Sequence, residues 1–324
     1  MTPRSSRRWW SRPLQLRAEA RGVGRACRQR GGGTAERFTA PMRRATIVAA
    51  LLAWEGAGAG TPAPAAITSL AGTQDPTCTG VPAPRAPADT VPALALVLNV
   101  PAARLDAFEH GRLTRSWDVA VGSRRYPTPL GSFWISEVTW NPWWVPPPSD
   151  WAAGQTRTPP GPANPMGRVK LRFFADYYLH GTPLEESVGQ PTSHGCVRLR
   201  NAAAIELATL VHRHAGPELP PGELERLLAN PAATRTLPLT TPVPLHIVYR
   251  LAEIRDGRLV IHPDVYGKGA PSREHALAAL EEAGYERGHV AVARLDDLLA
   301  RARRGRVSMP VDSLLLRADD AAKR

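Results

Sequence analysis

A short stretch in the middle of the chain, residues 173–211, limits the possible folds most narrowly. It opens on an apolar and aromatic run, 173–179, which is typical of a buried strand and ends directly at His180. A loop rich in Gly, Pro and Ser leads to Cys196, and the alanine- and leucine-rich segment that follows predicts a helix with Asn201 as its N-cap. A histidine at a strand end and a cysteine just before a helix can meet across one such loop.

The side chains at the two ends of this loop have the chemistry of a nucleophilic site. A thiol attacks as its thiolate, and a nearby imidazole can accept the thiol proton and favour the negative charge. Cys196 is therefore the predicted nucleophile, with a small buried hydrophobic cysteine as the alternative. Either His180 or His194 could serve as the general base, and the residues alone leave that choice open. Amide groups around Gly195 and Cys196 could form an oxyanion hole.

A zinc site made by His180, His194 and Cys196 is the main alternative chemistry. A catalytic zinc usually takes three protein ligands that are themselves oriented by hydrogen-bond partners. The sequence offers no obvious further ligand at metal-ligand spacing. We therefore expect a site without a metal.

The residues around this pair resemble a known family of bacterial cell-wall enzymes. His180-Gly181-Thr182, followed by Ser-His-Gly-Cys-Val-Arg-Leu-Arg-Asn at 193–201, resembles the motif and spacing of the L,D-transpeptidases of the YkuD type. Further stretches match family features in the expected order: Thr-Pro-Leu-Gly at 128–131, a proline-rich run at 141–148 and Gly-Pro-Ala-Asn-Pro-Met-Gly at 161–167. The proline-rich run resembles the ErfK/YbiS-like branch, and the resemblance covers roughly residues 94–212.

This resemblance implies a fold and roles for the site residues. The fold would be mainly β, an L,D-transpeptidase-like β-sandwich catalytic domain with a helix beside the active cysteine. Closely spaced short strands between residues 94 and 122 favour the same β-rich class. The resemblance makes His180 the proton donor and acceptor, and His194 would orient the site or donate to the oxyanion. It implies no cofactor.

The implied substrate is the stem peptide of peptidoglycan, which would link the protein to cell-wall biogenesis and cell shape. Cys196 would attack the carbonyl between the diamino acid and the terminal D-Ala, and His180 would protonate the departing amine. An amine of a second stem would then resolve the thioester and form a 3-3 cross-link. Carbapenems would be expected to acylate the same thiol.

Three alternatives to this cross-linking reaction stay open. Water could resolve the acyl-enzyme, which would make the protein an L,D-carboxypeptidase or hydrolase. The acceptor could be a lysine of an outer-membrane protein, which would make it a wall-anchoring enzyme. A non-catalytic peptidoglycan-binding protein is disfavoured because the Cys/His pair is complete.

Several residues outside the Cys/His pair are candidates for substrate binding. Arg198 could bind a substrate carboxylate or hold the loop through a salt bridge. Residues 137–167 combine tryptophans with many prolines, so we expect a long loop that covers the cysteine, with Trp143 and Trp144 shaping the groove. Indoles that simply fill a core are the alternative. Ser193 is included as a hydrogen-bonding residue of the loop.

Charge distribution argues against a nucleic-acid partner. The formal net charge is +12, but residues 1–44 hold twelve Arg and two Glu and so carry +10 of it. The remainder is nearly neutral and offers no global basic surface for nucleic acid.

Composition divides the rest of the chain. Residues 1–41 are predicted to be a disordered basic leader, which a start at Met42 would leave untranslated, and 42–59 a signal peptide that exports the protein to the periplasm. With that peptide removed, no stable membrane span is expected. Residues 60–92 form a Pro/Ala-rich linker, in which Cys78 is predicted to be a free thiol. The predicted catalytic domain is 93–216, and 217–324 is an α+β C-terminal extension with a hairpin turn at Asp256-Gly257.

Overall fold

The computed structural model describes residues 91–316. The predicted leader, signal peptide and Cys78 lie outside the described residues, as does nearly all of the linker. None of the helices between residues 91 and 316 has the length and apolar character needed to cross a membrane.

The described chain contains thirteen strands and four α-helices. The strands are β1 Leu94–Asn99, β2 Arg104–Glu109, β3 Arg112–Asp118, β4 Val121–Gly122, β5 Gly131–Trp140, β6 Val169–Phe174, β7 Tyr177–Thr182, β8 Pro191–Ser193, β9 Val197–Arg200, β10 Arg235–Val248, β11 Ala252–Arg255, β12 Arg258–Ile261 and β13 Val307–Pro310. The helices are α1 Asn201–Ala215, α2 Glu223–Ala229, α3 Arg273–Glu282 and α4 Val292–Ala302.

Eight of these strands form one mixed sheet in the order β3-β2-β1-β10-β5-β6-β7-β9. Most neighbours are antiparallel, but β1 pairs with β10 and β7 with β9 in parallel. The short strands β4 and β8 form a separate two-stranded sheet beside the cysteine turn. The prediction of a mainly β domain is confirmed.

Helix α1 covers the end of the sheet that carries β6, β7 and β9. Its buried side chains, among them Leu207 and Val211, repeat at helical spacing and pack into the same core as Leu171, Leu179 and Leu199. Each such leucine contributes roughly 1.5–3 kcal/mol through burial. The predicted helix beside the cysteine is therefore present, and it fixes β7 and β9 from behind.

Asn201 does not cap this helix, contrary to our expectation. The helix begins at Asn201 itself, and its amide side chain bridges two neighbouring segments instead. Its Oδ1 accepts from the Arg168 amide at 2.9 Å, and its Nδ2 donates to the Thr182 carbonyl at 3.1 Å. Gly181 leaves room for this side chain, because a Cβ there would lie 2.3 Å from Asn201 Oδ1. Asn201 thus ties the end of β7 to the start of β6.

The main sheet continues beyond residue 216, where we placed the end of the catalytic domain. Strand β10 lies between β1 and β5 in the middle of the sheet. Long-range pairing of this kind leaves no local signal, so the sequence could not place it. A second core, built by β11, β12, β13, α3 and α4, begins only after β10. This smaller α+β part confirms the predicted class of the extension, and Asp256 and Gly257 form its hairpin turn.

Candidate active site

Strand alternation brings the predicted reactive side chains to one face of the sheet. The parallel pair β7 and β9 sets Leu179 beside Val197 and His180 beside Arg198. Leu179 and Val197 are fully buried in the core. Because successive strand residues point to opposite faces, His180, Arg198 and the preceding Cys196 share the other face. There they line a groove of about 640 Å³.

Cys196 is a free, half-buried thiol at the floor of this groove. Its Sγ lies 3.7 Å from the backbone carbonyl oxygen of Asp176. Burial raises the pKa of the Cys196 thiol to about 11, outweighing the Tyr178 backbone amide and the Arg198 guanidinium, which favour the thiolate. The thiol is therefore neutral near pH 7 and needs a base to become a nucleophile.

His180 is buried at 4% exposure and has a fixed tautomer. Its Nδ1 lies 2.6 Å from the Gly181 carbonyl oxygen, which can only accept, so Nδ1 carries the proton and Nε2 is the basic nitrogen. Burial lowers the pKa of His180 to about 4, and the positive charges of Arg198 and Lys170 act in the same direction. His180 is thus a neutral imidazole ready to accept a proton.

The turn that carries Cys196 is held by hydrogen bonds within itself. The buried Ser193 hydroxyl donates to the Cys196 carbonyl and accepts from the Gly195 amide. Gly195 has a φ of 105°, and a Cβ there would lie 2.6 Å from the Tyr177 ring. The Gly195 amide is bonded within the turn and the glycine shapes it, while the oxyanion role of Gly195 stays a prediction. The Ser193 hydroxyl, predicted to contact substrate, is engaged within the turn as well.

The long segment between β5 and β6 forms one wall of the groove. Its centre is the fully buried Asn164, whose Nδ2 donates to three backbone carbonyls of the segment, with the Pro142 oxygen at 2.9 Å. A backbone bridge joins Trp144 to Thr158 with N–O distances of 3.0 and 2.9 Å. Internal hydrogen bonds therefore give this segment a defined shape, with one 3-10 turn at Asp150–Ala152 as its regular element.

Aromatic side chains of this wall reach the cysteine turn. Trp143, Trp144 and Trp151 line the groove, and Trp151 stacks on His194 with ring centroids 4.1 Å apart and an interplanar angle of 10°. His194 is exposed and also lies 4.9 Å from the Tyr126 ring, centroid to centroid. Trp140, by contrast, is fully buried and donates to His212, so it fills the core.

Comparison with known proteins identifies the domain around this site. The model of the YkuD L,D-transpeptidase catalytic domain matches residues 94–244. Residues 94–244 are a YkuD-family L,D-transpeptidase domain. Proteins named as L,D-transpeptidases are similar to it: YkuD of Bacillus licheniformis is 31% identical over 38% of this chain and 62% of its own length. YbiS of Escherichia coli is 36% identical over 26% of this chain and 30% of its own length. The chain therefore spans less than two thirds of these relatives.

Solved structures of the same family also align with the chain. L,D-transpeptidase 3 from Mycobacterium tuberculosis aligns with a TM-score of 0.32 at 15% identity, covering 48% of this chain and 61% of that one. The complex of LdtMt1 with imipenem aligns with a TM-score of 0.31 at 18% identity, covering 48% of this chain and 59% of that one.

The sequence alone did not indicate one basic residue of the transpeptidase groove, Lys170. Lys170 on β6 lies opposite His180 on β7, which in turn lies opposite Arg198 on β9. The Lys170 ammonium sits 4.7 Å from the centre of the Tyr178 ring, and burial lowers its pKa. Alternation along β6 could have placed Lys170 on the His180 face, but only the register shows that the two residues are neighbours.

The C-terminal part of the chain supports the transpeptidase turn through Thr128. The Thr128 hydroxyl donates to the Gly195 carbonyl at 2.9 Å and accepts from the Gly122 amide at 2.8 Å. The Thr128 amide donates in turn to the Tyr266 hydroxyl at 3.0 Å. Tyr266 is held from behind by Tyr249, whose hydroxyl accepts from the Tyr266 amide at 2.8 Å. Tyr266 lies 138 residues from Thr128, so no sequence spacing indicates this contact.

The zinc alternative finds no support in the arrangement of potential ligands. Across residues 91–316, no group of three or more His, Cys, Asp and Glu side chains could hold a metal ion. In particular, His194 is turned to the aromatic wall and stacks on Trp151.

Proposed function

We propose that this protein is a peptidoglycan L,D-transpeptidase of the periplasm, with Cys196 as its nucleophile. The observation that carries the proposal is the groove of the YkuD-family domain, whose lining includes both Cys196, just before β9, and a neutral His180 on the neighbouring strand β7. The pKa of about 11 for the thiol leaves it protonated, and the basic Nε2 of His180 provides the group that can take its proton.

The proposed reaction has two steps. In the first, His180 takes the Sγ proton, and the thiolate attacks the carbonyl between the diamino acid and D-Ala of a stem tetrapeptide. The C–N bond breaks, the proton passes from His180 to the departing amine, and a thioester remains. In the second, an amine of another stem attacks the thioester, forms the amide of the 3-3 cross-link and restores the thiol. The amides of Gly195 and Cys196 are the candidate oxyanion donors.

Other residues of the groove would bind rather than react. The rings of Trp143 and Trp144 offer an apolar wall for the stem peptide, and Trp151 with His194 fixes that wall to the cysteine turn. Arg198 faces the groove next to the nucleophile and offers a guanidinium to a substrate carboxylate. These roles need no cofactor.

The test is the intact mass of the protein after incubation with a disaccharide-tetrapeptide and, separately, with a carbapenem. Wild type should gain the acyl adduct and release D-Ala, whereas Cys196→Ala should do neither. The product then identifies the acceptor: a dimer means cross-linking and a free tripeptide means hydrolysis. A lysine adduct on added outer-membrane protein would mean wall anchoring. Well-folded wild type that forms no adduct and releases no D-Ala would refute the proposal.

A further inference from the structure

The groove carries two cations, Lys170 and Arg198, that form no ion pair in the described part of the chain. Among the described residues, the Arg198 side chain forms no hydrogen bond either, and the Lys170 ammonium lies 4.7 Å from the centre of the Tyr178 ring. The carboxylates of Glu137 and Asp176 favour the charge on Lys170, but neither lies within ion-pair distance of it. The acid nearest to them on β5, Glu137, pairs with Arg172 at 3.2 Å. Both cations are half-buried, and withdrawing a charge from water without a partner is costly.

The register of three strands sets these cations on either side of the general base. Lys170 is paired with His180, and His180 with Arg198, so the three side chains form one row across β6, β7 and β9. Neighbouring strands lie about 4.8 Å apart, so the row spans roughly 10 Å. Arg198 lies two residues after Cys196, at the second position of β9, so their Cα atoms are at most roughly 7 Å apart.

These distances match one group of the proposed substrate. In a peptide that ends one residue after the scissile bond, the terminal carboxylate lies within about 5 Å of the carbonyl under attack. A carbonyl held at Cys196 would therefore place this carboxylate within reach of the long side chains of the row. Carboxylates form strong, charge-assisted hydrogen bonds with guanidinium and ammonium groups.

We propose that Lys170 and Arg198 together form a subsite for the free carboxylate of the departing C-terminal residue. Identifying the anion as the D-Ala carboxylate rests on the proposed function, whereas the subsite for a small carboxylate does not.

The first test compares a stem tetrapeptide that ends in the free acid with the same peptide as its C-terminal primary amide. For wild type, we expect the acid to react with a kcat/KM about tenfold to a hundredfold higher than the amide, from one or two charge-assisted bonds. Lys170→Met and Arg198→Met should bring this ratio close to one. Lys170→Arg and Arg198→Lys, which keep the charge, should retain most of it.

Arg172→Met is the matched control. It also removes a cation from β6, but Arg172 is exposed, pairs with Glu137 and does not line the groove. Its acid-to-amide ratio should equal that of wild type. Melting temperatures of all variants confirm that they are folded.

The second test needs no peptidoglycan. Iodoacetate and iodoacetamide differ in one charge, so the ratio of their alkylation rates at Cys196 reports the subsite and cancels the reactivity of the thiol. The ratio is read from the mass of the Cys196 peptide, because Cys27 and Cys78 also react. It should fall several-fold in Lys170→Met and Arg198→Met, and not in Arg172→Met.

The two tests separate the subsite from the proposed function. Release of D-Ala with equal rates for acid and amide, and alkylation ratios that do not change in the variants, would overturn the subsite and leave the transpeptidase reaction standing. No D-Ala release, together with an alkylation ratio that depends on Lys170 and Arg198, would refute the reaction and support the subsite.

Discussion

The contact between Tyr266 and Thr128 gives the most direct prediction about the C-terminal part of the chain. Tyr266→Phe removes one oxygen atom and leaves the ring in place. The Thr128 amide, which donates to that oxygen at 3.0 Å in a buried position, then loses its acceptor. In the described structure the Thr128 amide donates to no other acceptor, so the full desolvation cost of one buried amide falls on the folded state of the variant.

The expected magnitude follows from that single unpaired group. A buried donor without a partner costs about 1–3 kcal/mol, and the free energy of unfolding in urea should fall by this amount. For a domain of this size, the melting temperature falls by roughly 2–4 °C for each kcal/mol. Because Thr128 also holds the Gly195 carbonyl at 2.9 Å, the kcat of acylation should fall while KM changes little.

Tyr285→Phe is the control for this prediction. Tyr285 packs against the second core, and in the described structure its hydroxyl forms no hydrogen bond. Its loss should change the free energy of unfolding by less than about 0.5 kcal/mol. The reasoning would be refuted if Tyr266→Phe matched this control in both stability and kcat.

The remaining predictions concern the cysteine turn and the two titrating groups. Gly195→Ala should abolish acylation, because a Cβ at a φ of 105° would lie 2.6 Å from the Tyr177 ring. Gly257→Ala is the control: its Cβ would meet open space, so acylation should stay intact. Equal acylation in the two variants would contradict this prediction. The pKa of His180 is lowered from 6.5 to about 4, so below pH 6.5 the unfolded chain binds a proton that the folded chain does not. The free energy of unfolding should therefore decrease as the pH is lowered, and at pH 5 it should be about 2 kcal/mol below its value at neutral pH. Urea titrations of His180→Gln should lack this pH-dependent component. The pKa of Cys196 is raised from 9.0 to about 11, so its rate of alkylation by iodoacetamide should still rise about tenfold per pH unit above pH 9. In the urea-unfolded chain the same rate should level off near pH 9. A plateau at pH 9 in the folded protein would count against a buried neutral thiol.

Local patterns were enough to predict the elements that present the site. The apolar run before His180 is strand β7, and the helix after Cys196 is α1, because hydrophobic periodicity reports burial directly. The resemblance in the Ser-His-Gly-Cys run likewise pointed to the family that the comparisons show.

Contacts across the chain could not be predicted in the same way. Strand β10 enters the middle of the sheet between β1 and β5, although its sequence gives no sign of its neighbours. The bridging role of Asn201 was missed because it depends on which atoms occupy its hydrogen bonds: Arg168 and Thr182 take the Asn201 side chain. The bond from the Gly195 amide to the Ser193 hydroxyl likewise follows from the shape of the turn. Lys170 was overlooked because its place beside His180 follows from the register of β6 and β7.

The row of Lys170, His180 and Arg198 has a consequence for the order of proton transfers. The two positive charges now help to lower the pKa of His180, so they weaken it as a base. A carboxylate bound between them would cancel part of that charge and raise the pKa of His180 while the substrate is in place, which is when the proposed mechanism has it take the Cys196 proton. The departure of the carboxylate would restore both charges and return His180 to its neutral form. On this account the base is strengthened by the same group that identifies the substrate, and a tetrapeptide amide should react slowly in its chemical step even at saturating concentration.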